Sequence, residues 1–523
     1  MSCDRSVDGA ARGLTLLLAA LALGTGSCQG DEALYGIDII GPKEAFVGAT
    51  SVSLLLNDKV VATSAVSGEG AFSLEATGID PVNDPSAIFV VKAVDAQNRT
   101  VALGQTPNVE ILPTPNPLRV FVQKPGTLAR SSDLGVQLTS MSSWKAETQP
   151  MGTLVLAMTA PVFGLGLNAA GALTSEIYIY NPVVHRTQQL ANIGLARAHS
   201  AATARSDDGE LFVFGGLAAD DMNVISPSKH LDLMTVGRQT FATFLLPDLR
   251  PLSPDKAAPA DPELARAGSV FAAAGPRHIA FGGLDQARQP LASVVVVEES
   301  AIGVSVTSAH PPMAAARVGH TATTDLTTVS SASLTEVWGR ILIYGGAAPG
   351  APVAELLNPK AQMWLPAIDF KAAGPAGTGR RDHQALTLPT KTDKDAAQIL
   401  ILGGRDDANH VRGDSVICVP AEARCGPSPL VLQIPRSSFG AFLLKDDLVV
   451  IGGIGADEMP VGTAEIYNAN TLAFVKTLPA VARAVPAITT LPSLAAVILG
   501  GEAAGLGVTA VEIYQPTLPD QAP

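Results

Sequence analysis

Six times between residues 210 and 502 an apolar, strand-length run ends in two adjacent glycines. The segments are ELFVFGGL (210–217), RHIAFGGL (277–284), RILIYGGA (340–347), QILILGGR (398–405), DLVVIGGI (447–454) and AAVILGGE (495–502). The pairs begin at Gly215, Gly282, Gly345, Gly403, Gly452 and Gly500, so the interval is 48–67 residues. A repeat of that length is one supersecondary unit that must stack on its neighbours to bury its apolar surface. A run that is apolar throughout reads as a strand covered on both faces. Paired glycines at its end allow a sharp turn and a close approach of neighbouring backbones. The expected fold class is therefore all-β, an array of small sheets.

Two further markers keep the same order. An arginine near a turn precedes each glycine-paired strand: Arg197, Arg266, Arg317, Arg381, Arg436 and Arg483. A histidine follows three of them, as His199, His320 and His383. After several pairs comes Glu, an apolar residue, Tyr or Leu, then Asn or Gln: SEIYIYNP (175–182), AELLNP (354–359), AEIYNA (464–469) and VEIYQP (511–516). Trp364 stands shortly after the second. A degenerate unit precedes the six, GTLVLAMTAPVFGLGLN (152–168), with Gly164 and Gly166 in the place of the pair.

These markers together resemble kelch repeats, and the resemblance covers roughly residues 130–520. It implies a β-propeller over residues 118–523, each repeat being one four-stranded blade. Seven blades are the preferred count and six the alternative. The segment LRVFVQK (118–124) is the expected donor of the strand that closes the ring, because pairing the two chain ends removes open sheet edges. The resemblance also places the six arginines around one mouth of the central shaft. There they would grip a carboxylate, a phosphate or an acidic peptide through bidentate bonds. The opposite reading is structural, each guanidinium bonding backbone carbonyls of its own blade. No catalytic set, cofactor or metal site stands out. Copper-oxidase chemistry on this architecture needs an unpaired Cys for a Cys–Tyr crosslink, and Cys418 and Cys425 are expected to pair with each other. Acidic residues after the glycine pairs (Asp220, Asp221, Asp285, Asp406, Asp407, Asp457, Glu458) read as turn formers. Arg412-Gly413-Asp414 spells a cell-adhesion tripeptide that arises easily by chance.

The N-terminus carries a different message. Arg5 and Arg12 precede an apolar run, LTLLLAALAL (14–23), followed by small residues and Cys28. The run is too short to span a bilayer and precedes a processing site. The segment 1–28 resembles a bacterial lipoprotein signal peptide, which makes Cys28 the lipidated residue, and Gln29 after it favours the outer membrane. Residues 29–33 read as a tether. Residues 34–112 alternate short strands with turn signals and resemble Ig-like or carboxypeptidase-regulatory-like modules, a small β-sandwich. Pro113, Pro115 and Pro117 mark a stiff boundary, 113–117, before the propeller.

With a formal charge of −13, the chain lacks the basic footprint of a nucleic-acid binder. The expectation is a membrane-anchored extracytoplasmic binding or scaffold protein, held in the bacterial cell envelope only by its lipid, presenting propeller loops to a protein or glycan partner. The alternative is a periplasmic or surface enzyme or lectin acting on acidic sugars through the arginine ring.

Overall fold

The computed structural model describes residues 14–16, 37–67, 72, 74, 86–110, 118–148, 158–182, 184–192, 196–204, 210–219, 225–227, 231–235, 265–274, 277–300, 303–307, 310–325, 338–370, 379–390, 396–491 and 495–518. Cys28, the tether 29–33 and the proline-rich stretch 113–117 lie outside them.

The fold is all-β, and among the described residues the only helical turns are the 3-10 segments Lys43–Phe46 and Pro420–Glu422. Seven antiparallel sheets follow one another along the chain after residue 127. Sheet one comprises Ser142–Thr148, Met158–Gly164, Glu176–Asn181 and Arg186–Asn192. Sheet two comprises Ala201–Ala204, Glu210–Phe214 and Leu231–Thr235. Sheet three runs from Val270–Ala274 to Gly303–Thr307 and sheet four from Thr321–Thr324 to Met363–Trp364. Sheet five runs from Gln384–Leu388 to Arg424–Pro427 and adds Asp369–Phe370 in parallel at its outer edge. Sheet six runs from Gly440–Leu444 to Phe474–Pro479. Sheet seven holds Ala487–Leu491, Ala495–Leu499 and Ala510–Gln515. The first strand of each sheet lies against the first strand of the next, and that of sheet seven lies against that of sheet one.

The glycine-paired runs are the second strands. Ile341–Tyr344 and Asp447–Ile451 are buried along their whole length. Each is flanked by two strands of its own sheet and sandwiched by the neighbouring sheets, so alternation would place polar side chains in the core. Burying each large aliphatic side chain stabilises by roughly 1.5–3 kcal/mol. These strands therefore carry much of the driving force.

The closing strand departs from the expectation. Thr127–Asp133, not residues 118–124, completes sheet seven by pairing with Ala510–Gln515, Thr127 opposite Gln515 and Asp133 opposite Ala510. Leu118–Phe121 instead runs parallel to Ile37–Ile40. Its alternation of Val120 and Val122 inward suits the N-terminal core that it shares with Ile37, Val52, Phe89 and Val91. A four-stranded sheet of that region orders Lys59–Ala65, Ser51–Leu56, Phe89–Val94 and Thr100–Gln105. Leu14–Leu16, from the apolar run 14–23, pairs with Ile37–Ile39. Gln123 joins the two regions, its Nε2 donating to Ile513 O at 2.9 Å.

Candidate functional site

Five of the six expected arginines, Arg197, Arg266, Arg317, Arg436 and Arg483, are fully closed to solvent. The sixth position is held by Arg380. Its neighbour Arg381, the residue expected from the sequence, keeps 44% of its side chain exposed. Two adjacent arginines satisfy the same local pattern, and only the pairing with the next strand separates them.

The six buried guanidiniums do one job. Each Nη1 donates to the carbonyl of the first glycine in the following pair: Arg197 to Gly215 at 3.0 Å, Arg266 to Gly282 at 3.2 Å, Arg380 to Gly403 at 3.1 Å, Arg436 to Gly452 at 2.8 Å and Arg483 to Gly500 at 2.9 Å. Arg317 makes the same bond to Gly345. Five of them also reach the start of the third strand. Arg483 Nη1 donates to Ala510 O at 3.0 Å and its Nη2 to Glu512 Oε2 at 2.6 Å. Arg317 Nη2 donates to Glu355 Oε1 at 2.8 Å and Arg380 Nη2 to Asp414 Oδ2 at 2.9 Å. Arg436 pairs with Glu465, and in sheet three the hydroxyl of Ser293 takes the place of the acid at 2.8 Å from Arg266. The recurring Glu of the Glu-x-Tyr element is thus the internal counter-ion of the recurring Arg. It also accepts the backbone N–H ahead of that Arg, as Glu465 does from Ile434 at 2.9 Å.

The second glycine ties one sheet to the next. Its N–H donates to the carbonyl of the following arginine: Gly283 to Arg317 at 2.9 Å, Gly346 to Arg380 at 2.9 Å, Gly404 to Arg436 at 2.9 Å and Gly453 to Arg483 at 2.7 Å. A Cβ on Gly345 would sit 2.0 Å from Arg380 O, so no other residue fits there. The residue two beyond each arginine adopts positive φ and extends the link, Val485 N donating to Ser438 O at 2.7 Å and Ser438 N to Asp382 O at 2.8 Å. In sheet one the device is lost. Leu138 occupies the arginine position, and the turn is Leu165-Gly166, not Gly164 with Gly166, with Leu165 held at φ +58°.

Burial pulls the Arg197 guanidinium down to about 10. It acts in the same direction on Arg317, Arg436 and Arg483, where the paired carboxylates oppose it.

The three histidines do not occupy equivalent positions. His199 stands two residues after its arginine, whereas His320 and His383 stand three after theirs. Burial first, then the adjacent Arg317, pushes the His320 imidazole down to about 3. His383 is held below its ordinary value by burial and Arg380; its Nε2 meets Thr321 Oγ1 at 2.9 Å. Among the described residues no group of His, Cys, Asp or Glu is arranged to hold a metal.

The acids after the glycine pairs order turns: Asp285 Oδ1 accepts Gln289 N at 2.8 Å and Asp406 Oδ1 accepts His410 N at 2.8 Å. Asp220 and Asp221 lie outside the described residues. The Arg412-Gly413-Asp414 tripeptide is used internally, because Asp414 bridges Arg412 and Arg380. Cys418 and Cys425 form a disulfide between directly opposed residues of the adjacent strands Ser415–Val419 and Arg424–Pro427 of sheet five.

One cleft of about 580 Å³ breaks the regularity. Its lining includes Pro290, Ala315, Ala348 and Pro349 with Arg381 and Arg405. Arg405 escaped notice in the sequence, although it is the only cation directly after a glycine pair.

No protein-family model matches this chain, and a search of curated proteins also finds no match.

Proposed function

We propose that this chain is a lipid-anchored, extracytoplasmic binding or scaffold protein of the bacterial envelope, built on a seven-bladed kelch-type propeller behind a small β-sandwich. One observation carries the choice of binding over arginine-ring chemistry. All six guanidiniums are closed to solvent and each donates to a glycine carbonyl of its own sheet, which supports reading the recurring arginines as clamps inside the repeats and not as a ring open to a ligand. The propeller reading is supported by the cyclic succession of first strands and by the pairing of 127–133 with 510–515. The leader with Cys28 supports the anchor, with the outer membrane preferred, and the divergent loops support a protein or glycan partner. No helix among the described residues is long and apolar enough to cross a membrane.

The test has two parts. Cys28→Ala should move the protein from the membrane fraction to the soluble fraction, and retention in detergent-free membranes would overturn the anchor. The mature chain, immobilised, should retain a defined envelope protein or glycan, and turnover of an acidic sugar would favour the enzyme reading.

A second reading keeps an acidic ligand but moves its site. Arg381 and Arg405 stand at the wall of an open cleft, which the buried Arg380 also lines.

A further inference from the structure

In most of the repeats, the residue after the buried arginine is paired with the residue after the glycine pair, as Ala267 with Leu284, Ser437 with Ile454 and Ala484 with Glu502. In sheet five the same two positions are Arg381 and Arg405, directly opposed on antiparallel strands. Like charges so placed repel and destabilise the pairing. Elsewhere these positions are small, apolar or singly charged, so nothing in the repeat itself calls for two cations here.

The repulsion is offset more fully on one side than on the other. Arg405 holds Glu458 with two parallel bonds of 2.7 Å, and this carboxylate raises its pKa. Arg381 donates to one neutral acceptor, Asn409 Oδ1 at 2.7 Å, and stands 3.9 Å from Asp382 Oδ2. Its guanidinium therefore retains donors with no strong acceptor, in a side chain that solvent reaches.

What those donors face is chemically distinctive. The lining of the cleft of about 580 Å³ includes Pro290, Ala315, Ala348 and Pro349 together with Arg380, Arg381, Arg405 and Asp407. Among the described residues no Trp, Tyr or Phe lines it. Aromatic faces are the usual platforms for rings that carry one apolar side, and their absence removes the main means of holding a pyranose. Small aliphatic walls beside a forked cation suit a hydrocarbon body ending in a carboxylate.

We propose that this cleft binds an aliphatic carboxylate, its acid group bonded to Arg381 beside Arg405 and its hydrocarbon chain lying along Ala315, Ala348 and Pro349. The proposal deepens the binding-protein reading and rests on it. It names a ligand class distinct from the acidic sugars considered above.

The test is calorimetric titration of the full mature chain with hexanoate, hexanol, hexylamine and glucuronate. Hexanoate should bind and the other three should not. Arg381→Ala should weaken hexanoate at least about tenfold, the scale of losing charge-assisted bonds, and Ala348→Tyr should weaken it by filling the wall. Arg381→Lys should fall between wild type and Arg381→Ala, because it keeps the charge and loses the fork. Both positions are exposed, so melting temperatures should stay near wild type, and circular dichroism checks that each variant is folded. Absence of hexanoate binding, equal binding by folded Arg381→Ala, or preference for glucuronate would each overturn the proposal. If hexanoate fails while immobilised protein still retains an envelope partner, the inference falls and the binding-protein reading stands.

Discussion

Arg436 and Glu465 are joined side chain to side chain with neither reaching solvent, and the same guanidinium spans Gly452 O at 2.8 Å and Thr463 O at 3.2 Å. One residue thus clamps three points of sheet six. Removing a single partner of such a pair leaves a buried charge without compensation. Glu465→Leu should cost about 3–5 kcal/mol. The double change Arg436→Met with Glu465→Leu should cost less than the sum of the two single changes. Denaturant unfolding of the four proteins gives the coupling; strict additivity would remove the pair from the account.

Gly345 meets a harder constraint. Alanine there combines φ +72° with a Cβ placed 2.0 Å from Arg380 O in the next sheet. The left-handed backbone alone costs roughly 1–2 kcal/mol, and the displaced carbonyl adds to it. Gly426, with nothing near its absent Cβ, is the control, and Gly426→Ala should stay within about 0.5 kcal/mol of wild type. Equal melting temperatures for the two variants would contradict the close sheet-to-sheet approach.

Acid should loosen the molecule through its buried histidines. His320 and His383 have folded pKa values below their unfolded value, so the neutral form is the one the fold accepts. Their contribution is complete above about pH 6.5, the unfolded pKa. It is lost as the pH falls below that point, by up to about 1.4 kcal/mol per pH unit for each. For His320 the loss continues towards a folded pKa of about 3. His320→Leu should flatten the acid limb of a stability–pH curve measured between pH 7 and 4. An unchanged limb in His320→Leu would assign acid sensitivity to other groups.

The Cys418–Cys425 bridge closes a loop of sequence separation 7 between two adjacent strands of sheet five. Chain entropy assigns such a loop about 2–3 kcal/mol. The Cys418→Ser, Cys425→Ser double variant should lose stability of that order. Early hydrogen exchange should then be confined to Ser415–Val419, Arg424–Pro427 and Asp369–Phe370. Global loss of protection would show that sheet five nucleates the rest.

The positions of the strands were plain in the sequence because each second strand carries its own signature, apolar on both faces and closed by glycines. The Glu-x-Tyr element was equally plain, but its role was not. Its carboxylate acts on an arginine about 29–38 residues away, as in Arg317–Glu355 and Arg436–Glu465, and no local pattern reports that contact. The same gap explains Arg381. In Arg380-Arg381 either residue suits the turn, and only pairing with Arg405-Asp406 turns Arg380 inward. His199 was grouped with His320 and His383 by proximity to an arginine, yet one residue of offset moves it to the positive-φ position.

By itself, the sequence determined an all-β chain and the places of its repeated buried strands. Those properties follow from hydrophobic period, turn residues and composition, which act over a few neighbouring residues. The tertiary structure alone decided which strand closes sheet seven, which of two adjacent arginines is buried, and that Arg381 and Arg405 share a cleft. Each depends on backbone partners tens or hundreds of residues apart, and such pairings are selected by packing and hydrogen-bond satisfaction in three dimensions.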